Sequence, residues 1–427
     1  MRVAVFVILI GGLYEYMGRT GTLPGQRIGG TVTVLGVWSG SELESFLAMV
    51  KPFEARTGVK VQLEGSQENG VLTARIQSGT PPDVAVLSAP VQMTAFARAG
   101  KLVPLDSVLD MNAMGSQYGQ SWIDLASVDG KVYGIFVKVA LKGLIWYNPK
   151  AFASAGYTVP TTWDEMLALT DRLATEGKTA WCIGLESSAA SGWPATDWIG
   201  DIVLRTAGAN AYDKWSRHEI AWTDPAVRRA WELFGQIATN SKYVYGGRYG
   251  VLITNFKESA FPLFTTPPSC FLHHQATFIQ DFIQQQYPAL KPGEDFDFFA
   301  FPPIDPDVPK VAEIAGDLFG MFRDTPQTRA LIQYLTTPSA QAIWVKRGGT
   351  VSPNRRVRPE DYPDPLARRA AQILTSAEAV RFDASDLMPE AVNAAFWKGT
   401  LDYVQSPARL DAILQNLERI SREVYGK

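Results

Sequence analysis

From Gly30 onward the chain alternates strand-like and helix-like segments, and this alternation limits the available folds more than any other feature. Residues 31–37 (TVTVLGV) are β-branched and short, and they run into Trp38, Ser39, Gly40 and Ser41. Residues 42–57 carry Leu43, Phe46, Leu47, Val50 and Phe53 at helical spacing, with Ser39 or Ser41 placed as cap and Gly58 as terminator. Residues 59–63 alternate as a second strand, 72–78 form a short helix, and 82–87 read as a buried strand. Strand, helix, strand, helix, strand in this order predicts an open, mainly parallel sheet with helices on its faces. Ligands of such sheets sit beyond the carboxyl ends of the strands, here 38–40, 65–68 and 88–90.

At 427 residues the chain exceeds the roughly 250–300 residues at which a single core stops growing, so more than one domain is expected. A second α/β unit begins near Leu144. A strand at 131–135 precedes it, and the unit holds a strand at 144–147, a helix opening at Thr162 as cap, a strand at 180–185, and a Ser/Ala/Gly/Trp loop leading into a helix through Trp198. Residues 311–322 read as strand, turn, strand, followed by a helix over 326–344 and a mostly helical C-terminal part.

A formal charge of −3, from 40 basic and 43 acidic residues, offers no electrostatic footprint for nucleic acid. Two cysteines (Cys182, Cys270) and three histidines (His218, His273, His274), with no CxxC, supply neither a structural zinc site nor a redox motif. Whether the cysteines pair depends on the compartment. Residues 3–13 follow Arg2 as an apolar run, shorter than the about 20 residues of a membrane-spanning helix. They read as an export signal or as a first buried strand, and Tyr14-Glu15-Tyr16 stands where a signal would place small cleavage residues. No other stretch is long and apolar enough to span a bilayer, and 1–29 is taken as export segment and linker.

Several motifs, in order, resemble family 1 extracellular solute-binding proteins, the sugar-capturing receptors of ABC importers. They are FEARTGVKV (53–61), PPDV (81–84), GKVYGI (130–135) with LIWYN (144–148), PTTWDE (160–165), and Phe396-Trp397. A narrower resemblance, to the α-glucoside-binding receptors, rests on WCIG (181–184), GWPATDW (192–198) and PSCFLH (268–273). The resemblance implies an α/β fold of the periplasmic-binding-protein type II, two lobes joined by a three-segment hinge with the ligand cleft between them. The lobes would be 30–142 with 310–355, and 143–309 with 356–427. It further implies a Cys182–Cys270 disulfide, closure around the ligand, docking onto a membrane permease, a periplasmic or extracytoplasmic monomer tethered if the N-terminal segment stays uncleaved, and no catalysis, metal or cofactor.

A sugar presents an apolar C–H face and a rim of hydroxyls, so flat aromatic rings and Asp, Glu, Lys or Arg side chains suit it. Trp38, Trp193 and Trp397 are the expected platforms, while Trp163, Trp215, Trp222 and Trp231 sit in structural contexts. Ser39, Glu42, Glu68, Ser88, Lys142, Asp197, Gly316, Asp317 and Arg355 are the expected polar partners. Capping remains open to Glu42 and Asp197, a plain surface role to Glu68, and a structural role to Arg355. Lys138 and Lys142 share a face of an extended segment, and one of the two is expected at the surface. Leu141 and Lys142 stand where the family usually has a carboxylate, so that acidic contact does not carry over. His273-His274 reads as a polar pair flanking Cys270. Two rivals stay in view: the same fold binding a polyol or glycerol-phosphodiester, and a glycoside hydrolase, which needs two carboxyls flanking one bond roughly 5–9.5 Å apart.

Overall fold

A computed structural model describes residues 27–36, 38, 40–65, 70–377 and 379–426. The export segment and the site candidates Ser39 and Glu68 lie outside the described residues. The chain forms two compact units. The first runs to Lys138 and adds Gly316–Arg347 and Ser352–Asp361; the second holds Val139–Ala315, Gly348–Val351 and Tyr362–Lys427. The strands, in chain order, are β1 (Thr31–Gly36), β2 (Lys60–Gly65), β3 (Val84–Leu87), β4 (Ser127–Val128), β5 (Lys131–Val132), β6 (Gly134–Leu141), β7 (Leu144–Tyr147), β8 (Leu272–His274), β9 (Asp297–Ala300), β10 (Ala312–Met321) and β11 (Val380–Phe382). β6 and β10 each carry the chain from one unit into the other.

In the first unit β1 is flanked by β2 and β3, both parallel to it, with Thr31 opposite Lys60 and Val34 opposite Val84. The C-terminal part of β10 adds antiparallel to β3, Leu318 opposite Leu87. Because β1 connects to neighbours on both sides, its carboxyl end is the switch point where α/β sheets open a crevice. The helix Gly40–Thr57 starts there and buries Phe46, Met49, Val50 and Phe53. Leu47, expected on that face, is 45% exposed; one helical step of 100° past Phe46 turns it outward, and Met49 takes its place.

The expected helix over 326–344 is two helices, Pro326–Leu335 and Pro338–Val345. Pro338 has no N–H to continue the first helix, and Thr337 caps the second by accepting from the Ala340 amide. The expected strand, turn, strand over 311–322 is instead the one strand β10. Its small Ala315-Gly316 pair permits a strand without a break, because β11 holds its first part and β3 its last.

The second unit centres on an antiparallel sheet with β7 between β8 and β9. The expected strand at 180–185 makes only isolated bridges at Trp181, to Val244 and Leu272. The Cys182 and Leu185 amides bond to Leu272 and Val251 rather than along one ladder. Trp181, Trp198, Trp215, Trp222, Trp231 and Phe396 form the aromatic heart of this core, and Trp163 is buried with them. Thr162 caps its helix, accepting from the Glu165 amide at 3.2 Å. Cys182 and Cys270 are joined by a disulfide with Cα atoms 5.6 Å apart. No helix among the described residues is long and apolar enough to cross a membrane.

Candidate functional site

In the second unit two of the expected site residues, Lys142 and Asp197, meet in a cluster around one cation. Lys142 follows directly on β6, and its amide is fixed by the Glu313 carbonyl at 2.9 Å. Its ammonium donates to Asp197 at 2.8 Å and to Asp383 at 2.5 Å. Asp197 lies one turn into the helix Trp193–Thr206 and is buried. Asp383 caps the short helix Ala384–Leu387, accepting from the Ser385 and Asp386 amides and the Ser385 hydroxyl. The Lys142, Asp197 and Asp383 side chains are 5%, 3% and 2% exposed, so water screens the triad little.

Burial alone would lower the Lys142 ammonium, but the surrounding carboxylates, Asp197 and Asp383 foremost, hold it well above its ordinary value. Burial raises Asp197 well above the carboxylate range, and Lys142 offsets only part of that rise. Asp383 goes the other way: against burial, Lys142 and the hydrogen bonds of Asp197, Lys142 and Ser385 hold it down to about 2. The two acids sharing Lys142 are thus driven in opposite directions, Asp197 up and Asp383 down.

The Trp193 ring is half-buried above this cluster, its centroid 5.7 Å from the Lys142 ammonium, within cation–π range. A glycine at 192 is what lets it sit there. Gly192 has φ +107°, and a Cβ at this position would stand 2.3 Å from the Trp397 carbonyl oxygen. The helix Trp193–Thr206 therefore abuts the helix Glu390–Gln405, where Thr400 bonds the Gly192 carbonyl at 3.1 Å. Trp397 is half-buried on that second helix, with its indole nitrogen buried and unpartnered among the described residues.

The first unit holds a second lysine between two carboxylates. Lys138, in β6, pairs with Glu42 and stands 3.5 Å from Asp317. Asp317 accepts the Trp38 indole N–H at 2.9 Å. Burial raises the Asp317 carboxyl, with Lys138 opposing, while the same carboxylates raise Lys138 in spite of its own burial. Side-chain exposure is 37% for Glu42 and 14% for Lys138 and Asp317. Trp38 is 3% exposed, packed against Phe46, Phe319 and edge-on against Trp344. It is thus a core ring of the first unit rather than the open platform expected.

Of the two lysines, neither is a surface residue, a correction to the expectation that one would be; each is drawn in by two carboxylates. Gly316 adjoins Asp317 within β10. Ser88 is exposed at the carboxyl end of β3. Arg355 is exposed and lies over Gly119, a Cβ on which would meet its guanidinium at 2.6 Å; no described bond ties it to the Lys138 cluster. Asp383 escaped the sequence reading, although its spacing to Ser385 is the local signature of a capping aspartate. His273 and His274 are buried; His273 donates to the Cys182 carbonyl at 2.9 Å, and His274 meets Asp201 at 2.7 Å. The two acids of the second unit share one lysine under near-complete burial, so they do not flank an open bond as glycoside cleavage needs. Among the described residues no cluster of His, Cys, Asp and Glu suits a metal ion.

The family described as bacterial extracellular solute-binding protein matches residues 39–342. The osmoprotective compounds-binding protein GgtB of Synechocystis sp. is 44% identical over 390 residues, 91% of each chain. The alpha-glucosides-binding periplasmic protein AglE of Rhizobium meliloti is 39% identical over 393 residues, 90% of this chain and 85% of that one. Among solved structures, the bacterial solute receptor AcbH superposes with a TM-score of 0.79 at 21% identity, covering 93% of this chain and 99% of the other. A chitin oligosaccharide binding protein does so with the same score at 20% identity, over 93% and 99%.

Proposed function

Because the chain belongs to the bacterial extracellular solute-binding protein family, whose members are transport receptors rather than enzymes, we propose that it captures an α-glucoside or similar oligosaccharide for an ABC importer. The observation that carries this reading is the half-buried Trp193 face set beside the sealed Lys142–Asp197–Asp383 triad. An indole face covers the C–H side of a pyranose, and the buried Lys142 ammonium, held by Asp197 and Asp383, braces that ring from beneath. The Glu42–Lys138–Asp317 cluster supplies further hydroxyl partners, with Gly316 beside it, and Trp397 is a second candidate platform. Ser88 and Arg355 are exposed residues that ligand contact alone would recruit.

The relatives support the ligand class, one being named for alpha-glucosides and the other for osmoprotective compounds. The two units are proposed as the receptor's lobes, the chain as an extracytoplasmic monomer, and the permease subunits of the importer as its partners.

Calorimetric titration across glucosides, polyols and glycerol-phosphodiesters tests the ligand. A response to glucosides is expected, and a response to phosphodiesters alone overturns the choice. A phosphate would want several arginines at the site, and the described bonds bring none to the Lys142 triad or to the Lys138 cluster. Release of monosaccharide from a disaccharide incubated with pure protein would overturn the receptor reading in favour of a hydrolase.

A further inference from the structure

Beside the Lys142 triad, the second unit holds a cavity of about 570 Å³, within the roughly 300–1,000 Å³ that small-molecule sites occupy. Trp193, Asp197, Asp383 and Trp397 do not line it; Lys142 is the one residue that cavity and triad share. The walls are apolar. Phe299 stands in β9, Val308 and Val311 on the segment leading into β10, and Ile373 on the helix Pro365–Ser376. Val159 completes them and is 36% exposed. An apolar hollow of this size in contact with water favours a solute that covers its walls.

The charged groups around the cavity decide the sign of that solute. Asp305 is closed off by Arg229, which donates to both of its oxygens, at 2.8 and 3.0 Å. Glu313 is 1% exposed and accepts from the Tyr212 hydroxyl at 2.9 Å. Arg205 commits one terminal nitrogen to Asp201 at 2.5 Å and its Nε to the Phe301 carbonyl at 3.2 Å. Its other terminal nitrogen takes no bond among the described residues. Lys310 is exposed and forms no ion pair among the described residues. Both carboxylates are thus withdrawn, while one ammonium and one edge of a guanidinium stay uncommitted. Apolar walls with uncommitted cations match an anion that carries an apolar body.

We propose that this cavity is a second ligand site, for a small apolar anion such as an aromatic carboxylate or sulfonate, with Lys310 as its charge partner and Phe299, Val311 and Ile373 as its walls. The inference stands apart from the glucoside reading, because Lys142 is the only residue proposed to serve sugar that also lines the cavity.

Anilinonaphthalene sulfonate and phenylnaphthylamine share one aromatic body, differ in the sulfonate, and both report binding by fluorescence. With the full chain the sulfonate should bind saturably at one site. Lys310→Glu, at an exposed position, should weaken the sulfonate about tenfold and leave the amine within about twofold. Ala377→Trp places an indole at the cavity wall and should weaken both probes at least about tenfold. A thermal melt identifies a variant that folds, and Val308→Trp takes the place of Ala377→Trp if that one does not. Unchanged sulfonate affinity in Lys310→Glu, equal weakening of both probes there, or survival of both in the folded tryptophan variant overturns the site. Displacement of the sulfonate by a sugar that the protein binds would assign the probe to the capture site and also overturn it. Absence of any sugar response in calorimetry would remove the glucoside reading and leave this site standing.

Discussion

The two units treat the same ingredients in opposite ways. Each sets one lysine between two carboxylates close to a tryptophan. In the first unit the ring is sealed and one charge is open: Trp38 is 3% exposed, while the Glu42 side chain is 37% exposed and Lys138 and Asp317 are 14% exposed. In the second the charges are sealed, at 5% exposure or less, and the Trp193 ring is half-buried. A sealed ion triad cannot exchange partners freely, so in the proposed receptor it would position groups and leave the contact to the indole. In the first unit the indole N–H fixes Asp317, and the open Glu42 carboxylate remains available to hydroxyls.

The largest effects should come from breaking what is sealed. Lys142→Met leaves two carboxyls buried without their cation and should cost about 3–5 kcal/mol of stability, read as a fall in the denaturant midpoint. Trp38→Ala should cost a similar amount, roughly 3–5 kcal/mol, through the cavity it leaves among Phe46, Phe319 and Trp344. Lys138→Met should cost less than Lys142→Met, because its partner Glu42 is 37% exposed and solvent weakens that pair. If Lys138→Met proves as damaging as Lys142→Met, the contrast between the two units fails.

Next in size is a pH effect confined to the second unit. Burial, with the neighbouring His274 adding to it, holds His273 down to about 4 against its ordinary 6.5, while its bond to the Cys182 carbonyl opposes the fall. Its Nε2 is buried without a partner, so protonation would bury an unpaired N–H. A depressed folded value means that this contribution is complete above pH 6.5 and is lost as pH falls toward 4. His274, also lowered by burial, acts in the same sense. Asp197 and Glu313, both raised by burial, act in the opposite sense. The contribution of His273 is therefore read by difference: the stability advantage of wild type over His273→Gln should shrink by about 3 kcal/mol between pH 7 and pH 4. A constant difference across that range would place the proton elsewhere.

What the sequence made legible was whatever is decided locally. The Thr162 cap, the terminator Gly58 and the strand Leu144–Tyr147 depend on neighbours within a few residues, and all three stand as expected. Lys142, Trp193 and Asp197, expected from the residue types that sugar capture needs, lie together in one cluster. Asp383 was not legible, since its partner Lys142 is 241 positions away and nothing local marks a capping aspartate as an ion-pair partner. β10 was read as two strands because Gly316-Asp317 has turn chemistry, whereas long-range pairing to β3 and β11 overrides it. The half-buried state of Trp193 and the sealed state of Trp38 were likewise beyond reach. Burial depends on what packs opposite, and Trp344 is far from Trp38 in sequence.

Against the sealed groups, the open ones should show in binding rather than in stability. Trp193→Ala should cost about 1–2 kcal/mol of sugar affinity with little change in the apo melting temperature. Unchanged affinity would remove it from the site.

The smallest effect, and the one that sharpens the comparison most, belongs to Glu42. Glu42→Gln keeps the shape and a hydrogen-bond acceptor but removes the charge facing Lys138, which then has Asp317 as its remaining carboxylate. Because the Glu42 side chain is 37% exposed, solvent screens the pair, and the stability cost should stay below about 1 kcal/mol. If the cluster serves hydroxyls, sugar affinity should fall by more than stability does, since a charged acceptor binds a hydroxyl more strongly than an amide does. A loss of stability that exceeds the loss of affinity would instead make Glu42 a brace for Lys138, and the first unit's charges would then be as structural as the second's.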